Sequence, residues 1–145
     1  MRLNGWLLAG GGLSALAAAA HIACIFGGPA WFRFFGAGEG MARASARGEP
    51  RVIYITLFIA AVLALWSVVA FSGAGLLPRL PLLRTGLIAI TAIYLLRGLL
   101  FVPIIAARHI PIDAFAIWSS LIVLGYGVVY AVGTWSAWPA LSGKP

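Results

Sequence analysis

The chain has 145 residues, of which 63% are hydrophobic and only 9% charged, with a formal net charge of +7. A soluble domain carries about 25% charged residues, so this composition excludes an ordinary water-soluble fold. It leaves a single membrane-embedded domain, residues 1–145, with too little chain for a second sizeable one. Ten Lys and Arg stand against Glu39, Glu49 and Asp113. That excess suits loops that meet anionic lipid headgroups; no basic patch is interleaved with aromatics as nucleic-acid binding requires.

Taken in chain order, charges and helix breakers divide the sequence into four apolar runs. The first, Leu3 to Phe32, begins like a secretory leader, with Arg2, leucines and the small run Ala17 to Ala20. Apolar sequence continues through Ile22, Ile25 and Phe26, so a retained span over about residues 5–27 is expected instead. Gly10 to Gly12, Ala15 and Ala17 to Ala20 give it a nearly smooth face. Cys24 is the lone cysteine and can form no intramolecular disulfide.

The first loop, Pro29 to Arg51, carries Glu39, Arg43, Arg47 and Arg51 at every fourth residue, which on a helix makes a slowly drifting charged stripe. Phe32, Phe34, Phe35 and Met41 add apolar area, so this segment reads as an amphipathic interfacial element with Arg43, Arg47 and Arg51 toward headgroups. Glu39 pairs with Arg43 at i,i+4 on one reading. On the other, Gly36 to Gly40 lets the chain dip inward so that Glu39 reaches Arg97.

Three further spans are predicted, over about residues 52–71, 84–105 and 114–135, each able to cross a hydrocarbon core about 30 Å thick. No run alternates with period two, which excludes a β-barrel. The predicted fold is therefore an all-α integral membrane protein, a four-transmembrane-helix bundle with an amphipathic interfacial first loop. Both termini and the loop Ser72 to Arg84, broken by Pro78 and Pro81, fall on one side, called A. The first loop and the turn around Arg108 to Asp113 fall on side B. Trp6, Trp135 and Trp138 mark side A, and Trp31 marks side B.

Basic residues number four on side A (Arg2, Arg79, Arg84, Lys144) and five on side B (Arg33, Arg43, Arg47, Arg51, Arg108), so the positive-inside rule gives no orientation. A plasma-type (inner) membrane of the bacterial kind is the expected location. Trp66-Ser-Val-Val and Tyr126-Gly-Val-Val occupy similar depths in the second and fourth spans, but Val-rich spans match easily by chance. Gly125, Gly127, Ala131 and Gly133 form a second smooth face, for packing within the bundle or against another copy.

Arg97 is the most informative residue, because Thr85 to Ala107 is otherwise uncharged. A cation near the middle of a span costs about 3 kcal/mol on insertion scales, which calls for a partner, a cavity or a bound anion. Counting helical rise, His21 and Arg97 both lie about 10–12 Å inside the side B boundary. Thr56, Ser119 and Ser120 lie a little shallower, and Tyr94 is one turn from Arg97. Arg97, His21, Tyr94, Glu39, Ser119, Ser120 and Thr56 are thus the expected lining of a polar vestibule. Its natural guest is a phosphate or carboxylate, which a guanidinium fork binds in bidentate fashion. The competing reading is a buried structural lock satisfied within the protein.

His21 and Cys24 share a helix face but supply only two metal ligands, and haem with two axial histidines would need His109, which falls in a loop. No metal or cofactor is expected. No phosphate-binding loop, nucleophile elbow or Cys-x-x-Cys is present. The leading expectation is a non-enzymatic binding or accessory subunit that holds an anionic lipid headgroup or partner group at Arg97. An oligomeric transporter or channel is the second, although no span carries a carboxylate to line a pore. A lipid-directed enzyme, with His21 as acid–base and Arg97 as phosphate clamp, is the third and has thin support. The expected partners are an anionic bilayer and either further copies or a larger membrane complex; nucleic acid is not among them.

Overall fold

The computed structural model describes residues 3–112 and 114–142, so Arg2, Asp113 and Lys144 lie outside the described residues. Its elements are α1 (Gly5–Phe34), α2 (Glu39–Ala46), α3 (Pro50–Gly73), α4 (Leu83–Ala107) and α5 (Ala114–Ser142), with no strand among the described residues. Helices α1, α3, α4 and α5 are each long and apolar enough to cross a membrane. Hydrocarbon offers the backbone no hydrogen bonds, so such runs satisfy their own amides as helices. Apart from Arg97, the charged residues described lie in the connections, in α2 or in the end turn of a spanning helix, whereas Pro29, Pro103 and Pro139 fall inside α1, α4 and α5.

Within α1 the helical geometry breaks at Gly28 (φ 65°, ψ −154°), followed by Pro29. A residue without Cβ tolerates that φ, and the proline that follows has no N–H to continue the ladder. The chain resumes as a short helical turn through Trp31 to Phe34.

The chain forms two compact units, residues 1–13 with 66–145, and residues 14–65. Segments of all four spanning helices meet in the first, which is a four-helix bundle. Asn4 caps α1 by accepting a hydrogen bond from the Leu7 amide at 3.0 Å, and its own amide nitrogen donates to Gly133 O and to Ser136 Oγ at 2.8 Å on α5. Ser67 donates to the Gly11 carbonyl at 2.8 Å, and Tyr130 donates to the Trp66 carbonyl at 3.3 Å. Arg79 donates to the Leu141 carbonyl in the last turn of α5, where helix carbonyls lack partners. Arg84 stacks on Trp138, 4.2 Å from the ring centre.

Helices α4 and α5 touch backbone to backbone. A Cβ on Gly98 would fall 2.7 Å from the Cα of Leu124, and one on Gly127 would fall 3.0 Å from the backbone nitrogen of Leu95. Gly10, Gly11 and Gly133 press likewise against Tyr130, Phe71 and Leu7, whereas Gly12 and Gly125 face open space. Gly10, Gly11, Gly127 and Gly133 are thus spent on contacts inside this bundle.

In the second unit, Phe32, Cys24, Ala42, Ala44 and Val52 form one core with Met41 against it. Phe32 is 3% exposed while its neighbours Trp31, Phe34 and Phe35 face outward. Two fully buried alanines let α2 seat close to that core.

Because both glycines at the α4–α5 seam face backbone, Gly98→Val and Gly127→Val should each destabilise the protein by about 1–3 kcal/mol. Thermal unfolding in detergent should show a lower Tm for both, and none for Gly125→Ala, whose added methyl meets nothing.

Candidate functional site

Helix α4 carries Arg97 ten residues before its last residue, Ala107, or about 15 Å along the axis. Its guanidinium carbon lies 3.6 Å from the centre of the Phe101 ring, one turn nearer the α4 C-terminus. Gly98 packs level with Leu124, and Ser120 lies one turn nearer the side B end of α5, so the guanidinium reaches toward side B. Its Nη1 donates to Ser120 Oγ on α5 at 3.4 Å, a long hydrogen bond. The Gly98–Leu124 and Gly127–Leu95 contacts bring the serine that close.

The reading of Arg97 as a buried cation is corrected here. Arg97 is half-buried, and no charged side chain among the described residues is buried. Two close-packed helices offer no fully enclosed cradle for so long a side chain.

Of the other expected lining residues, Ser120 alone bonds Arg97. Ser119 donates to its own helix, to Ala116 O at 3.3 Å. Tyr94 is buried, but its ring belongs to an aromatic cluster, edge-on to Trp66 at 4.9 Å and beside Tyr126 and Tyr130 at 5.5 and 5.3 Å. His21, Thr56 and Glu39 belong to the unit of residues 14–65. There His21, half-buried, donates from Nδ1 to the Ala17 carbonyl at 2.8 Å, and buried Thr56 donates to the Val52 carbonyl at 2.7 Å. Among the described residues no cluster of three His, Cys, Asp or Glu could hold a metal ion.

Glu39 pairs with Arg43 at 3.1 Å, as its i,i+4 spacing suggests, and also with Arg33 at 2.9 Å. Both carboxylate oxygens are thereby taken. Glu49 is shared in the same way by Arg47 and Arg51. The hydrogen bonds from Arg33 and then Arg43 lower the Glu39 carboxyl from 4.5 to about 2, and Arg51 and then Arg47 hold Glu49 below the usual range. Comparison with protein-family models, curated proteins and solved structures finds no match. The chain is a small multi-helix membrane protein.

Sequence reasoning missed Phe101 and Arg33. Phe101 carried a usable signal, since an aromatic four residues after an arginine lies within stacking reach on the same helix face. Arg33 carried none, because the turn between α1 and α2 makes its contact with Glu39.

The folded Glu39 carboxyl ionises more readily than a free one, so its contribution to stability is complete above about pH 4.5. It disappears as pH falls toward about 2. Hydrogen-exchange protection of the α2 amides should fall across that window, and Glu39→Gln should flatten part of the fall, with Glu49 supplying the rest.

Proposed function

We propose that this chain is a non-enzymatic binding or accessory protein of the membrane, in which Arg97 holds the anionic headgroup of a lipid or the acidic group of a partner. The observation that carries this reading is the guanidinium's incomplete set of partners. Arginine has five N–H donors, and among the described residues Arg97 uses one, on Ser120. The stack on Phe101 adds electrostatic attraction without accepting a proton in line.

Magnitudes support the same conclusion. Placing the charge at this depth costs about 3 kcal/mol. A cation–π stack returns about 1 kcal/mol and a long neutral hydrogen bond at most about 1 kcal/mol. An anion joined by charge-assisted hydrogen bonds supplies about 1.5–3 kcal/mol and offsets the remainder. The described carboxylates do not meet this need, since two arginines share Glu39 and two share Glu49. Toward side B, where the guanidinium leans, the nearest plentiful anions in a bilayer are lipid phosphates.

Native mass spectrometry of the protein released gently from its own membranes tests the proposal. The wild type should retain an anionic phospholipid or a small acid, and Arg97→Leu should lose it while staying folded. The hydroxyl left behind on Ser120 can turn to a carbonyl of its own helix. The mass of the retained species separates lipid from acid. An adduct held equally by wild type and Arg97→Leu, or none on either, would exclude Arg97 as the holder.

A further inference from the structure

The second unit, residues 14–65, has a charged surface that the Arg97 site does not use. Past the break at Gly28, Phe32 turns into the core while Trp31, Phe34 and Phe35 stay outside, 45%, 78% and 41% exposed. Ala30, Trp31, Phe34 and Phe35 line a shallow apolar cleft, with the Phe35 ring packed on both Trp31 and Phe34. The same segment carries Arg33, Arg43, Arg47 and Arg51, all largely exposed, against Glu39 and Glu49, which leaves it with a net positive charge.

The carboxylates aim the arginines without exhausting them. Arg33 gives both Nε and Nη2 to Glu39, and Arg47 likewise gives Nε and Nη2 to Glu49. Arg43 and Arg51 give only Nε to Glu39 and Glu49, so among the described residues their terminal amino groups keep their donors. A guanidinium held through Nε presents its two Nη groups in the geometry that grips a phosphate. This segment joins two membrane-length helices, α1 and α3, which puts it at a bilayer surface.

We infer that the segment from Trp31 to Arg51 is a lipid-surface anchor selective for phospholipids of net negative charge. Trp31, Phe34 and Phe35 enter the acyl boundary, with an acyl chain along their cleft, and Arg43 and Arg51 take the phosphate oxygens. Neutral zwitterionic lipid offers the same acyl chains but not the same net charge. The selectivity therefore comes from the arginines and the depth from the aromatics. This anchor is independent of Arg97 and stands whether or not that residue holds an anion.

Quenching of Trp31 fluorescence by brominated lipid tests it, with the Trp31 signal taken as wild type minus Trp31→Phe in reconstituted bilayers. Brominated phosphatidylglycerol diluted into phosphatidylcholine should quench Trp31 with an apparent affinity about fivefold or more above that of brominated phosphatidylcholine. Raising salt should shrink the difference, Arg43→Gln combined with Arg51→Gln should abolish it, and Arg97→Leu should preserve it. Equal quenching by the two lipids in the wild type would overturn the inference, and that comparison decides the matter even if the double variant fails to fold. Survival of the preference in a folded double variant, or its loss in Arg97→Leu, would overturn it as well.

Discussion

At the α4–α5 seam, Gly98 lies against the backbone of Leu124 and Gly127 against that of Leu95, so the two helices come closer than any pair of side chains allows. In lipid, apolar surface gains nothing by leaving water, and helices associate through close van der Waals contact of this kind. The neighbour of Gly98 is Arg97, and the same approach that packs the glycines brings Ser120 within hydrogen-bonding reach of the guanidinium. Packing and chemistry are therefore coupled at this point. Widening the seam by one methyl group would loosen the helix pair and remove the polar partner the arginine has on α5.

The protein treats its charges in two ways. In the unit of residues 14–65, two glutamates each gather two arginines, and the four cations are arranged around acceptors that water also reaches. Exposed pairs of this sort add little stability, but they fix where arginine forks point. On α4 the arrangement differs. Among the described residues Arg97 has a hydroxyl and a ring in place of a carboxylate, which is poor compensation for a cation at that depth. Leucine at this position would carry no such cost, and the proposal that Arg97 binds an anion rests on that difference.

Position along each helix was legible in the sequence and azimuth was not. Spans announce themselves because Arg51, Pro78, Arg84 and Asp113 punctuate apolar runs of nearly constant length, and helical rise then places Arg97 and Ser120 at similar levels. The four-residue spacing of Glu39, Arg43, Arg47 and Arg51 reads as one helical stripe, but only Glu39 and Arg43 share α2, since that helix ends at Ala46 and Arg51 lies in α3. Which way a side chain faces around its helix is encoded in water-soluble proteins by apolar periodicity. Here every face of a span is apolar, and that code is silent. Tyr94, one turn from Arg97, therefore looked like a companion, but it packs with Trp66, Tyr126 and Tyr130. The same silence concealed that Arg97 is half-buried and that Gly125 faces outward while Gly127 does not.

Whether a phosphate sits on Arg97 is tested most directly by solid-state NMR of the protein, with arginine side chains labelled with nitrogen-15, in bilayers made from its own lipids. Dephasing of guanidinium nitrogen by phosphorus-31 is read as the difference between wild type and Arg97→Leu. A phosphate in direct contact should dephase the Arg97 signal, or, if the native guest is an organic acid, lipid-phase phosphate monoester added in its place should do so. An Arg97 signal that phosphorus leaves untouched under both conditions would contradict the proposed anion site, and would make the arginine a structural feature of the α4–α5 seam.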